Sequence, residues 1–407
     1  MTTSILLCPV CKESLQANES NKSLSCENNH SFDRARQGYL NLLLAHKKNS
    51  KNPGDSQEMV IARQAFLNSD FYRPISDSLN QIIVDAALKI QALKSEKAIQ
   101  VLDIGCGEGY YSQRIHHSLS DHQIEHNLFG LDISKDAVIA AAKRAKAEAA
   151  LVSKSVESEW LVASAIDIPL QAHSIDIATC LFTRLMPDSY HKVIKQDGYF
   201  ICVNTGEKHL IELREKLYDE ITKTEFDPVK NMGEDFELID HQQVSYQNTL
   251  SSQQQIQDLL LMTPHNWRTK ADKKEALTSL EELTVTIDAQ IHVFKAKEKA
   301  IVEVEVVEEV LETVSSSNPW GKSKVAAEPA ALVEAVSEVA AEAAVEAPAE
   351  TQTVAPQETS TEVAPQSKAA SSASPWGGTK VVATEETSTK AETPAESKEK
   401  SNPWSNS

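Results

Sequence analysis

The sequence lacks the long apolar runs and leader segments that membrane insertion or secretion requires. No stretch reaches the ~18 apolar residues of a membrane-spanning helix. The first ten residues, MTTSILLCPV, have neither a basic start nor a long apolar core. Cysteine is scarce as well: there are 6 in 407 residues, and three of them are clustered at metal-binding spacing rather than spread as a disulfide framework. We therefore expect a cytoplasmic protein that makes no membrane contact.

Basic residues are scarce at one end of the chain only. Residues 301–407 contain 18 Glu and 7 Lys but no Asp or Arg, and they account for −11 of the total net charge of −19. Residues 1–51 instead hold 7 basic residues against 4 acidic ones. The acidic balance of the whole chain therefore does not exclude a nucleic-acid substrate.

Composition and periodicity divide the chain into four predicted segments. Residues 1–40 form a small cysteine module, and residues 41–98 contain a basic loop and connecting helices. Strand and helix signals alternate over 99–296, which predicts an α/β domain whose parallel sheet is covered on both faces. Residues 297–407 are low in complexity and poor in aromatic residues, so we expect an acidic, disordered tail.

A Pro-Trp pair recurs in this tail, at Trp320, Trp376 and Trp404. Tryptophan offers a large contact area, so the repeat indicates a binding motif for an unknown protein partner. The alternative is a duplicated low-complexity segment without a partner.

The cysteine module has the spacing of a metal site. Cys8-x2-Cys11 is followed, after 14 residues, by Cys26-x3-His30. Two knuckles with two ligands each close a tetrahedron around Zn²⁺ and leave no open coordination position, so a structural zinc ion is expected. A surface role for His30, a catalytic zinc ion and a redox CxxC motif are the weaker alternatives.

A glycine-rich turn follows the first predicted strand of the α/β domain. Residues 101–109 read VLDIGCGEG, with Asp103 near the end of the strand and glycines at 105, 107 and 109. Dinucleotide sites prefer G-x-G-x-x-G, whereas the G-x-G-x-G spacing found here resembles the first motif of class I methyltransferases, which bind S-adenosylmethionine (SAM). A strand–turn–helix that binds no cofactor is the third interpretation. The next predicted strand ends at Asp132, where a ribose-binding carboxylate belongs.

Further strings occur in an order that resembles one family. They are FD at 32–33, GYLNLL at 38–43, PGDS at 53–56, AR-x-AFL at 62–67, LDIGCGEGYY at 102–111, GLDISK at 130–135, G-x-x-HL at 206–210 and MTP at 262–264. Together they resemble the RlmA type of bacterial 23S rRNA guanine-N1 methyltransferases over residues 5–295. The resemblance implies a class I SAM-dependent methyltransferase: a Rossmann-like, mostly parallel seven-stranded sheet with an N-terminal zinc ribbon, often as a homodimer. It also implies a guanine in a 23S rRNA hairpin loop as substrate.

Cofactor contacts follow from the motifs and from the resemblance. The resemblance implies Tyr72, Gly107, Glu108 and His209; an ordinary packed tyrosine and a surface histidine are the alternatives for the first and last. The motifs add a second group, in which Asp167 is expected near the adenine. These residues are Asp103, Gly105, Gly109, Asp132 and Asp167.

Guanine N1 carries a proton, so a general base should assist the transfer. Asp188 and His191 are candidates from sequence position alone, and a solvated surface role is the alternative for both. The preceding segment, CLFTRLMPD at 180–188, departs from the Arg-Ile-Tyr-Ala-Pro-like run expected there. The expected position of the target base is therefore the part of the site for which the resemblance is weakest.

Basic residues around the cysteine module are predicted to bind RNA phosphates; the alternative is a solvated basic loop. They are Arg34, Arg36, Lys47, Lys48 and Lys51. Two other functions remain open at this point. One is a SAM enzyme acting on a small molecule or a protein, and the other is a non-enzymatic RNA-binding adaptor with a decayed methyltransferase core.

Overall fold

A computed structural model of the protein describes residues 5–48, 50–93, 98–149, 158–221 and 226–298. The predicted disordered tail lies outside these residues from position 299 onward, and so do its three Pro-Trp pairs. Within these ranges, no helix is both long and apolar enough to cross a membrane.

In these described ranges, eleven strands form two sheets. The strands are β1 (Gln16–Ala17), β2 (Ser23–Ser25), β3 (Ser31–Asp33), β4 (Tyr39–Asn41), β5 (Ile99–Ile104), β6 (His126–Asp132), β7 (Ser158–Val162), β8 (Ile175–Leu181), β9 (Ile194–Thr205), β10 (Phe236–Leu250) and β11 (Leu283–Ala296).

Ten α-helices lie between these strands in the described residues, together with a short 3₁₀ turn at Ala45–Lys47. The helices are α1 (Gln57–Asn68), α2 (Arg73–Leu93), α3 (Tyr110–Asp121), α4 (Lys135–Ala149), α5 (Pro187–Val193), α6 (Ile211–Leu217), α7 (Pro228–Met232), α8 (Gln253–Leu261), α9 (His265–Arg268) and α10 (Ala271–Thr278).

The larger sheet has the order β10-β11-β9-β8-β5-β6-β7-β4. Strands β4 to β9 pair in parallel, and only β11 runs against its neighbours β9 and β10. The mostly parallel sheet is therefore confirmed, but it has eight strands rather than seven. The extra strand is β4, whose three residues pair with Trp160, Leu161 and Val162 of β7.

Helices cover one face of this sheet. Leu79 and Ile83 of α2, Ile115 of α3 and Leu259 of α8 are buried with strand residues such as Val101 in one apolar cluster. Removal of this apolar surface from water is the main stabilisation of the face. Because β5, β6, β8 and β9 are parallel, their carboxyl ends meet at one edge of the sheet. Open α/β sheets bind their ligands at this edge.

The part of the cysteine module described before β4, residues 5–38, covers part of the opposite face. The connection from β7 to β8, residues 163–174, is fully described and contains no helix. Leu6 and Leu15 of the module are buried there with Leu161 and Leu170. Backbone bonds fix the contact, since Leu7 N donates to Pro169 O at 2.9 Å. The module therefore lies where a βαβ crossover normally places a helix.

Candidate cofactor and metal sites

The turn after β5 has the backbone geometry that its glycines predict. Gly105, Gly107 and Gly109 have φ values of 73°, 56° and 85°, in the left-handed region that favours glycine. A Cβ on Gly109 would lie 2.9 Å from the Cβ of Ala141, whereas a Cβ on Gly107 would meet only the Cδ of Arg63, at 3.8 Å. Gly109 thus lets α3 pack closely against α4, while the backbone of Gly107 faces more open space.

Asp132, at the end of β6, organises this turn. One carboxylate oxygen accepts from Gly107 N at 2.9 Å, and the other accepts from Ser134 N at 2.8 Å. Burial raises the pKa of Asp132, and the two backbone hydrogen bonds oppose that shift. Each oxygen has a second lone pair, so the carboxylate can also accept from ribose hydroxyls.

Asp103 lies near the end of β5, as the motif predicted, and its side chain is enclosed. It is 1% exposed, and its two oxygens accept from the hydroxyls of Ser112 and Thr179. Burial raises its pKa to about 6. The carboxyl therefore links β5 to α3 and β8 beneath the turn, and a direct contact between Asp103 and the cofactor stays a prediction.

Glu108 is buried beside a cation. Its Oε2 accepts from the Arg144 guanidinium at 2.6 Å, while its Oε1 and the Nε of Arg144 have no hydrogen-bond partner among the described residues. Burial raises the pKa of Glu108, and Arg144 opposes this. A buried carboxylate oxygen without a donor fits a cationic or N–H-bearing ligand group, such as the amino group of SAM.

Tyr72 and His209 lie 137 positions apart in the chain and are joined by a hydrogen bond of 3.0 Å between Oη and Nε2. The Nδ1 of His209 accepts from Asp288 N at 3.2 Å, so the ring proton is on Nε2 and is donated to Tyr72. Burial lowers the pKa of His209 to about 4, which keeps the ring neutral. The hydroxyl proton of Tyr72 is thereby available to an acceptor such as a carboxylate.

The sequence did not predict a role for Arg63 or for Phe182, which both lie at this edge of the sheet. Arg63 donates to Asp55 at 2.7 Å and to the carbonyl of Met262 at 3.1 Å, and Ser134 Oγ donates to Asp55 O at 2.7 Å. These bonds bring the PGDS, AR and MTP strings together over the end of β6. Because the strings are far apart in the chain, no local pattern predicted their contact.

Phe182 is the second missed residue. It follows β8 with a φ of 53°, which is unusual for a bulky side chain. Its ring lies 6.0 Å from that of His209 at an interplanar angle of 27°, and 5.9 Å from that of Tyr72. The unexpected string CLFTRLMPD therefore places an aromatic ring between the glycine turn and His209.

Asp167 forms ion pairs with Lys12 at 2.5 Å and with Lys47 at 2.7 Å. Burial acts to raise its pKa, but the two lysines outweigh burial and lower the pKa below its ordinary value. The carboxylate thus joins the cysteine module and the basic loop to the turn after β7. Its expected position near the adenine stays a prediction.

The five basic residues predicted to contact RNA fall into two groups. Arg34 is paired with Glu159 through two hydrogen bonds, at 2.7 and 3.0 Å, and Lys47 is paired with Asp167. The other three are exposed and make no ion pair within the described part of the chain; they are Arg36, Lys48 and Lys51. The structure therefore favours these three as phosphate contacts over Arg34.

The two candidate bases lie at different ends of α5. Asp188 is exposed in the first turn, next to Ser189, which donates to Ile166 O after β7. The Nε2 of His191 instead contacts the carbonyl of Lys297, beyond β11 and near the start of β9. This contact lies toward the end of the sheet at which β8 and β9 begin, although only about one helical turn separates His191 from Asp188. The contact with Lys297 disfavours His191 as the base, and the role of either residue stays a prediction.

The four predicted zinc ligands converge. The ligand atoms of Cys8, Cys11, Cys26 and His30 all lie within 4.8 Å of one another. Cys11 and Cys26 Sγ are 3.6 Å apart, and Cys26 Sγ is 3.4 Å from His30 Nδ1. Tetrahedral Zn²⁺ with bonds of about 2.0–2.3 Å brings its ligand atoms to about this separation.

Comparison with known proteins agrees with this arrangement. A family model described as "RlmA, N-terminal" matches residues 6–51, and a model described as "Methyltransferase domain" matches residues 101–197. The chain is 33% identical over 212 residues to the 23S rRNA (guanine(748)-N(1))-methyltransferase of Streptomyces fradiae, covering 52% of this chain and 67% of that protein. It belongs to the RlmA-like family of 23S rRNA guanine-N1 methyltransferases.

Two other relatives match the RlmA-like chain over more of its length. YxjB of Bacillus subtilis, provisionally named a 23S rRNA (guanine-N(1)-)-methyltransferase, is 28% identical over 294 residues, covering 71% of this chain and 96% of that protein. A provisionally named protein of the same description from Micromonospora griseorubida is 26% identical over 299 residues, with 70% and 95% covered.

The structure fits both cofactors of an RlmA-like enzyme. The Cys₃His cluster suits a structural zinc ion, because all four positions of a tetrahedron are filled by protein ligands. The open space over Gly107, the unpartnered oxygen of Glu108 and the remaining acceptor capacity of Asp132 suit SAM. The chain is accordingly a zinc-ribbon, SAM-dependent methyltransferase.

Proposed function

We propose that the protein transfers a methyl group from SAM to N1 of a guanine in a hairpin loop of 23S rRNA. The observation that carries the proposal is the junction at Asp167, where lysines of the cysteine module and of the basic loop meet the cofactor edge of the sheet. A small-molecule or protein methyltransferase would not need exposed basic residues beside a zinc ribbon at this edge. The structure accordingly favours RNA over those substrates.

The residues of the chain have separable roles in this reaction. When bound, SAM supplies a methyl group on a positively charged sulfur. Asp132 would hold the ribose, the Tyr72 hydroxyl would donate a hydrogen bond to the carboxylate of SAM, and Glu108 would accept a hydrogen bond from the amino group of SAM. These contacts fix the geometry, and positioning is most of what such a transfer requires. Asp188 is the candidate to accept the proton from guanine N1, and a base already unpaired in a loop reaches the site at low cost.

Primer extension on 23S rRNA tests the proposal, because a methyl group on N1 blocks base pairing and stops reverse transcription. RNA from a strain deleted for the gene should lack one stop at a loop guanine, and restoring the gene should restore it. An unchanged pattern of stops would refute the substrate. Incubation of the purified protein with labelled SAM and a metabolite panel would then test the small-molecule alternative.

We further propose that the protein binds RNA in the cytoplasm, acts as a homodimer and uses the Pro-Trp pairs to bind a protein partner. Sedimentation of the purified chain tests the dimer. Capture experiments with the full chain and with a variant carrying Ala at Trp320, Trp376 and Trp404 test the tail. A partner retained equally by both chains would contradict the proposed role of the repeat.

A further inference from the structure

A small cavity lies over β9, β11 and β10 near the carboxyl end of β9, on the sheet face that the cysteine module also covers in part. Its volume is about 250 Å³, less than the roughly 300 Å³ at which most ligand pockets begin. The residues used below line it: Asn204, Phe226, Asp227, His241, Gln290 and His292. None of the cofactor contacts described above belongs to it.

Strand register places four of these side chains on one face. Asn204 of β9 pairs with Gln290 of β11, and His241 of β10 pairs with His292 of β11. Because alternate residues of a strand share a face, Gln290 and His292 point to the same side. Three strands thus form one wall of the cavity, which suits selective binding better than loops alone do.

The cavity offers both a flat surface and polar groups. The rings of His241 and His292 are 4.4 Å apart with an interplanar angle of 31°, and His241 Nε2 is held 2.7 Å from Gln290 Oε1. His292 is 9% exposed, and its buried Nδ1 has no hydrogen-bond partner in the described part of the chain. A buried ring nitrogen without a hydrogen-bond partner destabilises the fold, which points to a ligand that supplies the missing hydrogen bond.

The chemistry favours a nucleobase over a phosphate. Among the described residues that line the cavity there is no Lys or Arg, and the Asp227 carboxylate, which caps α7, would repel an anion. Phe226 is 46% exposed at the rim and is available for stacking. A planar, uncharged heterocycle with donors and acceptors on its edge matches these groups, and the volume admits one base.

We infer that this cavity holds an unpaired base of the substrate RNA that flanks the target guanine. The inference rests on the proposed function. Methyl transfer belongs above the ends of β5 and β8, and the cavity lies over β9, β11 and β10, which begin two strands, or about 10 Å, from β5. A neighbouring base fits that distance better than the target does, and splayed loop bases are the usual means of reading RNA sequence.

A coupling experiment between protein and RNA tests the inference. The wild-type chain, His292→Phe and Asn204→Ala are assayed on 23S rRNA hairpin transcripts, intact or with a single abasic position in the loop. His292→Phe retains a ring and removes both nitrogens. We expect each variant to raise KM for the intact hairpin about tenfold, and one abasic position to have no further effect in the variants while raising KM for the wild type.

The controls separate the possible failures. Gln81→Ala, which removes an exposed amide on α2, should behave like the wild type, and SAM affinity and melting temperature should be unchanged in all variants. If the wild type does not methylate any hairpin, the proposed function fails. If it does, but the variants keep the wild-type KM, weaken SAM binding, or show effects additive with every abasic position, the inference about the cavity is overturned.

Discussion

At the scale of single residues, Asp132 holds two parts of the site together. Its oxygens accept from Gly107 N in the glycine turn and from Ser134 N before α4. Ser134 in turn donates to the carbonyl of Asp55. One carboxylate therefore fixes the turn after β5, the end of β6 and the loop that lies over them.

Replacement of Asp132 by Asn should weaken SAM binding strongly. The amide retains one acceptor oxygen but directs an NH₂ group at a backbone N–H, and it loses the charge that strengthens the bonds. Loss of charged hydrogen bonds costs about 1.5–3 kcal/mol, so we expect the Kd for SAM to rise roughly 10- to 150-fold in calorimetry. Asp136→Asn, at an exposed carboxylate four residues on, is the matched control; equal affinities for both variants would contradict the role of Asp132.

Asp103→Asn should change how stability depends on pH. The folded pKa of Asp103 is about 6, above its ordinary 3.8, because the carboxyl is buried. Its contribution to stability is fully present below about pH 4 and is lost as the pH rises through about 6. The serine and threonine hydroxyls can rotate to suit an amide, so the variant keeps the contacts and does not titrate.

Urea unfolding at pH 4 and pH 7 measures this effect. The free energy of unfolding of the wild type relative to Asp103→Asn should fall by about 2–3 kcal/mol between the two values, at ~1.4 kcal/mol for each pKa unit. Parallel pH profiles for the two proteins would show that Asp103 is not a buried acid with a raised pKa.

At the scale of elements, the cysteine module packs against the sheet at a place where a helix would normally lie. Leu6 and Leu15 are buried against Leu161 and Leu170, where the helix-free connection between β7 and β8 leaves the sheet uncovered. A module of this size has little core of its own, so metal binding supplies much of its folding energy. The zinc ion therefore stabilises the methyltransferase sheet as well as the module.

Loss of zinc should consequently destabilise the sheet. We expect Cys26→Ala, or chelation of the wild type, to lower the melting temperature of the whole chain and to speed amide exchange in residues 163–174. Re-addition of Zn²⁺ should restore the chelated wild type but not Cys26→Ala. Unchanged exchange at Leu170 after complete zinc removal would show that the module folds apart from the sheet.

Local patterns in the sequence predicted the elements well and their contacts less well. β5 ends at Ile104, directly before the glycine turn of the motif at 101–109, and β6 ends at Asp132 as the sequence indicated. β4 was missed because three residues carry too little periodicity to reveal a strand. The Arg63 and Tyr72 contacts were missed because their partners are far along the chain.

At the scale of the whole molecule, charge is divided between a basic N-terminal region and acidic residues elsewhere. Two of the five predicted RNA contacts, Arg34 and Lys47, are occupied by carboxylates. The other three are exposed, and we expect them to meet phosphates; Lys48 and Lys51 follow Lys47, which forms the junction with Asp167, along the chain. The acidic remainder of the chain would repel RNA, which restricts binding to this region.

Charge reversal at this surface should change RNA binding in a way that depends on salt. Each phosphate contact that is lost reduces the slope of log K against log salt by about 0.7–0.9, so Lys48→Glu/Lys51→Glu should lower the slope by about 1.5 and weaken binding at low salt. Titration of a fluorescent 23S rRNA hairpin at several salt concentrations measures both. Lys89→Glu, on the exposed surface of α2, adds the same kind of charge away from the junction. If it changed the slope as much per lysine replaced, the effect would come from net charge, and the surface around Lys48 would have no special part in binding.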